Sequence, residues 1–179
     1  MLDIIIPATE RFDEQTMQFI DTKEQKLTLE HSLISISKWE SKFEKPFLSS
    51  KKTAVEVLEY IKCMTLTQNV DPAVYWNLTD KNIQDVQEYI EAPMTATTFT
   101  PIKKKGGKKE IITAELIYYW MITFNIPVEF QKWHLNRLLT LIEVCARKNE
   151  PQKKKSRKEI IAEQREINRI NKAKFHTRG

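Results

Sequence analysis

The chain contains little glycine, and this scarcity excludes several kinds of functional site. Its 179 residues include 3 glycines, which are the adjacent Gly106 and Gly107 and the terminal Gly179. Average usage of about 7% would supply about a dozen. Phosphate-binding loops, dinucleotide-binding turns and nucleophile elbows need glycine where the backbone turns sharply or approaches a ligand. The sequence therefore lacks the material for any of these three sites.

Cysteine and long apolar runs are scarce as well. Cys63 and Cys145 are far apart and form no CxxC pair, so we expect two small buried side chains rather than a disulfide. The longest apolar run, 116–124, is much shorter than the about 20 residues of a membrane-spanning helix. Residues 1–7 lack the basic start of a signal peptide. We expect a soluble, intracellular protein.

Residues that could carry catalysis or bind metal are scattered. His31, Cys63, His134 and Cys145 have no CxxC or His-x₃-His spacing. His134 and Cys145 lie about 16 Å apart along one predicted helix, which is too far for a Cys–His nucleophilic site. We expect instead a half-exposed histidine and a packed cysteine. The carboxylates expected on solvated helix faces are Glu56, Glu59, Glu88 and Glu91. The sequence shows no catalytic constellation, and we expect no metal and no cofactor.

Charge is distributed unevenly along the chain. Residues 1–100 carry 10 basic and 16 acidic side chains, a net charge of −6, whereas residues 101–179 carry 19 and 8, a net charge of +11. Within the second part, residues 146–179 hold 12 basic and 4 acidic side chains, a net charge of +8. The pattern indicates an acidic-to-neutral body followed by a basic C-terminal arm.

The N-terminal residues predict a small β element. Residues 2–6 form an apolar strand that Pro7 ends, and residues 16–20 and 26–29 resemble two strands joined by the polar segment 21–25. Two or three short strands need a further surface to pack on. The strands therefore predict a β element that rests on the rest of the body.

After His31 the apolar spacing changes to that of helices. Ser32 is the predicted cap of a helix that ends at Pro46, Thr53 caps residues 54–66, and Thr79 caps a helix that Pro93 closes. The side chains predicted to face inward from the second and third of these helices are Val57, Tyr60, Ile61, Met64, Ile83, Val86 and Ile90, with Tyr89 as a further candidate.

An aromatic helical hairpin follows at 111–147. Residues 111–125 are apolar nearly all round, which predicts a helix enclosed by its neighbours. A second helix is predicted over about 128–147, after the break at Asn125 to Pro127. The fold class is α+β and mainly helical, with a β element at 1–31, a helical body at 32–149 and a basic helical arm at 150–179.

The basic arm is one candidate binding region. Its final helix is predicted over 159–174, with a thin apolar set. Clustered cations favour nucleic acid through counterion release, but Phe175 is the arm's single aromatic residue, so base stacking is poorly supplied and a protein partner is favoured. The candidate cations of the arm are Lys153, Lys154, Lys155, Arg157, Lys158, Arg165 and Arg169.

The aromatic hairpin is the other candidate region. Tyr118, Tyr119, Trp120, Met121 and Trp133 are expected in the core rather than at a partner surface. A helix that is apolar on every side nevertheless has more apolar surface than a body of this size covers easily. Any part of it left exposed is predicted to bind protein.

Four stretches of the helical body resemble a known family. They are residues 31–48 (HSLISISKWESKFEKPFL), 60–72 (YIKCMTLTQNVDP), 88–99 (EYIEAPMTATTF) and 111–145 (IITAELIYYWMITFNIPVEFQKWHLNRLLTLIEVC). They look like the tail assembly chaperones of long-tailed bacteriophages. The β element and the details of the basic arm lie outside the resemblance.

The resemblance implies a transient, non-enzymatic assembly factor in the host cytoplasm that is absent from the mature virion. Such proteins coat the tape measure protein and keep it soluble while tail tube subunits polymerise around it. The expected partner-binding residues are Tyr118, Tyr119, Trp120, Trp133 and Arg137. Tail tube subunits and self-association remain open as further contacts, and no membrane is expected. The alternatives are a small phage nucleic-acid-binding protein that uses the basic arm, or a structural tail component.

Overall fold

The computed structural model describes residues 1–13, 18–99 and 110–149, together with positions 161, 164, 165, 168 and 169. For residues 11–13 and 18–22 it describes the backbone only. The chain divides into two compact units, Met1–Ala146 and Arg147–Gly179. The predicted class, α+β and mainly helical with a small N-terminal sheet, is confirmed. Most of the arm cations, from Lys153 to Lys158, lie outside the described residues.

The N-terminal β element contains four strands, β1 (Leu2–Ile6), β2 (Thr9–Asp13), β3 (Gln18–Thr22) and β4 (Gln25–Leu29). β1 pairs with β4 and β2 with β3, both antiparallel. Leu2 opposes Leu29, Ile6 opposes Gln25 and Thr9 opposes Thr22, so both ladders keep the register of a single hairpin. Pro7 follows β1 at the break between the ladders, and proline has no N–H for a ladder hydrogen bond.

The first strand was predicted correctly, but the pairing of the strands was not. We expected strands at 16–20 and 26–29 to be neighbours joined by a turn. Instead β3 and β4 follow one another along the same arm of the hairpin, and β2 was missed altogether. The reason is physical: β2 is largely polar (TERFD), so it lacks the apolar alternation that marks a half-buried strand.

Five α-helices and two 3₁₀ helices make up the described helical body. The α-helices are α1 (Leu33–Phe43), α2 (Ala54–Met64), α3 (Asp80–Glu91), α4 (Ala114–Thr123) and α5 (Leu135–Asn149). The 3₁₀ helices are Pro72–Asn77 and Val128–Lys132. Ser32, Thr53 and Thr79 cap α1, α2 and α3 through reciprocal side-chain bonds, as the sequence predicted.

The core forms where β1 and β4 pack against the helices. Ile4, Ile6, Leu27 and Leu29 are buried on the inner side of the sheet. Trp39 of α1 is fully buried, and its indole Nε1 donates to the backbone oxygen of Glu56 at 2.9 Å. The indole thus fixes α1 to the first turn of α2 while filling the space between them.

The buried faces of α2 and α3 were each predicted wrongly at one position. Val57 and Ile83 are exposed, whereas Glu56 and Asn82 are buried. Both buried residues occupy the third position of their helix, where the capping box turns the side chain back toward the cap. Asn82 also donates to the backbone oxygen of Ile5 at 3.1 Å, which ties α3 to β1. A polar capping residue therefore took the place of the expected apolar one.

The predicted helix over 128–147 is divided in the structure. The second 3₁₀ helix (Val128–Lys132) ends at Trp133, and α5 begins at Leu135. His134, expected to be half-exposed, is buried with 6% of its surface accessible. Its backbone forms an isolated bridge with Ser32, and this pairing requires an extended chain that a continuous helix would not permit.

Glu40 joins three parts of the helical body through one buried carboxylate. Its Oε1 accepts from the backbone N–H of Phe47 at 2.6 Å, and its Oε2 accepts from that of Ala114 at 2.7 Å. Ala114 is the first residue of α4, where the helix dipole favours a negative charge. A side chain of α1 therefore fixes both the loop after α1 and the start of α4.

We predict that Glu40→Gln lowers the free energy of unfolding by about 2 kcal/mol. The variant keeps one acceptor oxygen but turns an N–H group toward a backbone N–H donor, and it removes the charge beside α4. Urea unfolding followed by circular dichroism measures the change. The exposed neighbour Glu44 gives the matched control, since Glu44→Gln should shift stability by no more than about 0.5 kcal/mol. Equal stability of the two variants would contradict the role of Glu40.

Candidate functional site

Helix α4 leaves much of its apolar surface exposed. Its buried residues are Ala114, Ile117 and Met121. Tyr119 and Ile122 are 61% and 75% exposed. The prediction that neighbours enclose this helix is therefore wrong, because the body covers one side of it. The prediction that Tyr119 belongs to the core is wrong for the same reason.

The segment after α4 adds a further exposed apolar side chain. Asn125 takes a left-handed backbone conformation (φ 53°) that turns the chain, and the N–H of Ile126 donates to the oxygen of Met121 at 2.8 Å. Val128, at the start of the second 3₁₀ helix, is 58% exposed. Three large apolar side chains, Tyr119, Ile122 and Val128, thus remain accessible within ten residues.

A hydrogen bond holds the second 3₁₀ helix beside α4. The hydroxyl of Tyr118 donates to Oε1 of Gln131 at 2.9 Å. Ile122 lies one turn beyond Tyr118 on the same stripe of α4. Tyr118 and Trp120 are themselves half-buried. The exposed part of α4 therefore adjoins the residues around Gln131.

Those residues form a layered stack. The rings of Phe130 and Trp133 are parallel within 14°, with centroids 4.0 Å apart. The guanidinium of Arg137, in the first turn of α5, lies 4.0 Å from the centroid of the Trp133 ring. Arg137 itself is exposed. The name α4 surface is used below for Tyr119, Ile122 and Val128 together with the stack.

Three of the five predicted partner residues, Tyr118, Trp133 and Arg137, lie together in the structure. Trp120, two residues after Tyr118, projects from a different side of α4. Tyr118 binds the segment that carries the stack, and Trp133 and Arg137 form two of its layers.

Ile122 and Val128 were not among the predicted site residues. For Ile122 the sequence signal was the apolar character of α4 on nearly every side, which becomes informative only when one side of the helix is known to be covered. Val128 lies outside α4 and carries no comparable signal.

The basic arm belongs to the second compact unit. Described positions 161, 164, 165, 168 and 169 are helical and exposed, in agreement with the helix predicted over 159–174. Arg165 and Arg169 are four residues apart, so both lie on the same side of that helix. Lys153, Lys154, Lys155, Arg157 and Lys158 lie outside the described residues.

A buried polar network surrounds His134, the residue that follows Trp133 of the stack. The Nδ1 atom of His134 accepts from the N–H of Asn136 at 3.3 Å, so its Nε2 carries the proton and donates to the oxygen of Tyr89 at 2.9 Å. His134 is therefore neutral and acts as the cap of α5. The side chain of Asn136 donates to the oxygens of Ile90 and Ala92 at 3.0 and 2.8 Å.

His31 extends this network toward α1 and α2. Its ring meets that of His134 edge-on, with centroids 5.0 Å apart, and its Nδ1 bonds the hydroxyl of Tyr60. Tyr60 in turn lies 3.3 Å from the hydroxyl oxygen of Ser35. Burial lowers the pKa of His31 to about 3, lowers the pKa of His134, and raises that of Tyr60. Histidine, tyrosine and serine are here enclosed and bonded to one another and to the backbone.

The other reactive groups are dispersed. Cys63 and Cys145 are free thiols, both half-buried, and burial raises the pKa of Cys63. Within the described residues no three His, Cys, Asp or Glu side chains converge as a metal site would require. None of the helices in the described part of the chain is both long and apolar enough to cross a membrane.

Comparisons of the chain with protein-family models, with curated proteins and with solved structures find no match. The arguments for function therefore rest on the α4 surface, on the exposed arginines of the arm and on the resemblance stated above.

We predict that stability falls as the pH drops from 6.5 to 5.5. The folded-state pKa values of His31 and His134 lie below their ordinary value. The unfolded chain therefore binds protons first. The contribution of the neutral histidines to stability is complete well above pH 6.5 and decreases as the pH falls through 6.5, by up to about 1.4 kcal/mol per pH unit for each histidine. Urea midpoints at pH 7.5, 6.5 and 5.5 measure this, above the range in which carboxylates titrate.

The variant His31→Gln provides the control for this prediction. Its amide oxygen still accepts a hydrogen bond from Tyr60, but it does not titrate, so the slope of stability against pH should be shallower than in the parent protein. Unchanged urea midpoints from pH 7.5 to 5.5 in the parent protein would show that the buried histidines do not govern its acid sensitivity.

Proposed function

We propose that the protein is a phage tail assembly chaperone that binds the tape measure protein and assists assembly of the tail tube, without enzymatic activity. The observation that carries the proposal is the exposure of Tyr119, Ile122 and Val128 on the α4 surface. Exposed apolar side chains that cluster in this way support a protein-binding site. The stretch 111–145, which contains it, is also the longest part of the resemblance to tail assembly chaperones.

The proposed mechanism is the covering of apolar stripes. A tape measure protein is a long helical chain, and its apolar stripes aggregate when nothing surrounds them. Burying one large aliphatic side chain contributes roughly 2 kcal/mol, so a few contacts at the α4 surface give binding that tail tube subunits can displace. The protein acts in the host cytoplasm and does not remain in the mature virion.

We predict that co-expression with the tape measure protein encoded by the same phage keeps that partner soluble, and that Ile122→Ser or Trp133→Ala greatly reduces the soluble fraction. Ile122 is 75% exposed, so its loss removes a contact with the partner and leaves the folded body intact. Centrifugation of lysates followed by quantitative blotting measures the soluble partner. Circular dichroism verifies that each variant is folded.

The matched control is Val55→Ser, which removes an exposed aliphatic side chain from α2, away from the α4 surface. This variant should keep the partner soluble. Equal solubility of the partner with and without the parent protein would contradict the chaperone proposal. Loss of solubility with Val55→Ser as well would show that the effect is not specific to the α4 surface.

The exposed pair Arg165 and Arg169 favours one second candidate, a nucleic-acid-binding protein. Two cations on one helix side match a phosphate backbone. Filter binding of a single-stranded oligonucleotide at about 50 mM and 200 mM salt discriminates between the proposals. Affinity that falls steeply with salt and disappears in the double variant Arg165→Gln, Arg169→Gln would favour the second candidate.

Recovery of the chain from purified virions by mass spectrometry would instead favour a structural tail component.

A further inference from the structure

We propose that the α4 surface selects a partner helix by a carboxylate: the guanidinium of Arg137 binds an Asp or Glu side chain that flanks the apolar stripe of that helix. The inference rests on the proposed function to the extent that the partner is the tape measure protein. It adds the chemistry by which one helix is distinguished from another.

The guanidinium already lies against the Trp133 ring before any partner arrives. It lies 4.0 Å from the centroid of the Trp133 ring, and Trp133 stacks in turn on Phe130. A planar guanidinium stacked on a ring keeps its edge, with several N–H donors, free to bond both oxygens of a carboxylate. Because the side chain is already ordered, little rotamer entropy is lost on binding.

Arg137 has no acceptor for these donors within the part of the chain that the structure describes. Its recorded contact there is the ring of Trp133. Three lysines near α2 behave differently: Lys42, Lys45 and Lys62 each form an ion pair with a carboxylate of that helix. Arg137 is therefore an exposed cation that pairs with no carboxylate of residues 1–10, 23–99 or 110–149.

The position of Arg137 also gives no benefit to its own helix. It lies in the first turn of α5, which contains no acidic residue. A positive charge at this end opposes the helix dipole, whereas a negative charge would be stabilised by it. A partner carboxylate bound to Arg137 relieves this unfavourable placement.

The surroundings favour a helix over a polyanion. Ile122, Tyr119 and Val128 are exposed apolar side chains that a phosphate backbone cannot cover. Exposed Glu115 and Glu129, on α4 and the second 3₁₀ helix, repel a chain that carries a charge at every unit. An amphipathic helix with an apolar stripe and one flanking carboxylate satisfies both the apolar side chains and the single cation.

The test uses two labelled synthetic peptides of about 20 residues. Both form an amphipathic helix with leucines at positions i, i+3, i+4 and i+7, and they differ only in whether Glu or Gln flanks the stripe. Fluorescence anisotropy with the full-length protein should show that the Glu peptide binds about tenfold more tightly, as expected for a charge-assisted pair.

Protein variants separate the carboxylate contact from the apolar contact. Arg137→Gln should remove the tenfold preference, and Arg137→Lys should remove most of it, because an ammonium group neither stacks in plane nor forms a paired bond. Ile122→Ser should weaken both peptides equally. Lys132→Gln, a neighbouring exposed cation, should leave the preference unchanged.

Three outcomes would overturn the inference. Equal binding of the two peptides would reject the carboxylate contact, while the solubility experiment still tests the chaperone proposal independently. Failure of both peptides to bind would reject the α4 surface as a helix-binding site. Displacement of the peptide by a single-stranded oligonucleotide, lost in Arg137→Gln, would assign the cation to phosphate instead.

Discussion

The short extended segment at Trp133 and His134 is the constraint on which the arrangement of the body depends. The N–H of Leu135 donates to the oxygen of His31 at 2.8 Å, and His134 donates to the oxygen of Tyr89. Asn136 donates to two further oxygens at the end of α3. The end of the β element, the end of α3 and the start of α5 are thus joined by direct bonds, and carbonyl groups at the end of α3 gain donor partners from His134 and Asn136.

This junction also explains why the candidate surface is rigid. Trp133 immediately precedes His134, and Arg137 follows it within the first turn of α5, so the bonds that fix His134 also fix the backbone under the stack. On the other side, the carboxylate of Glu40 holds the first residue of α4. A binding surface whose support is buried and fully hydrogen-bonded loses little entropy when a partner docks on it.

Much of the fold was predictable because it depends on local chemistry. Ser32, Thr53 and Thr79 each cap a helix through a pattern contained within four residues, and all three were identified from the sequence. The burial of His134 and the pairing of β2 with β3 depend on residues far apart in the chain. The exposure of Ile122 depends on how much of α4 is covered by the neighbouring elements. The spacing of apolar residues in the sequence does not show this.

The exposed side of α4 has a cost that points to binding. Tyr119 and Ile122 remain in water although a polar residue at either position would maintain the helix equally well, since the buried residues of α4 are Ala114, Ile117 and Met121. Exposed apolar side chains favour aggregation and add nothing to the folding of an isolated chain. The charge of Arg137 opposes the dipole of its own helix, although its guanidinium gains the contact with Trp133. Sites where local rules are broken are those at which function is expected. The two conflicts lie on the same surface, and one amphipathic partner helix would resolve both.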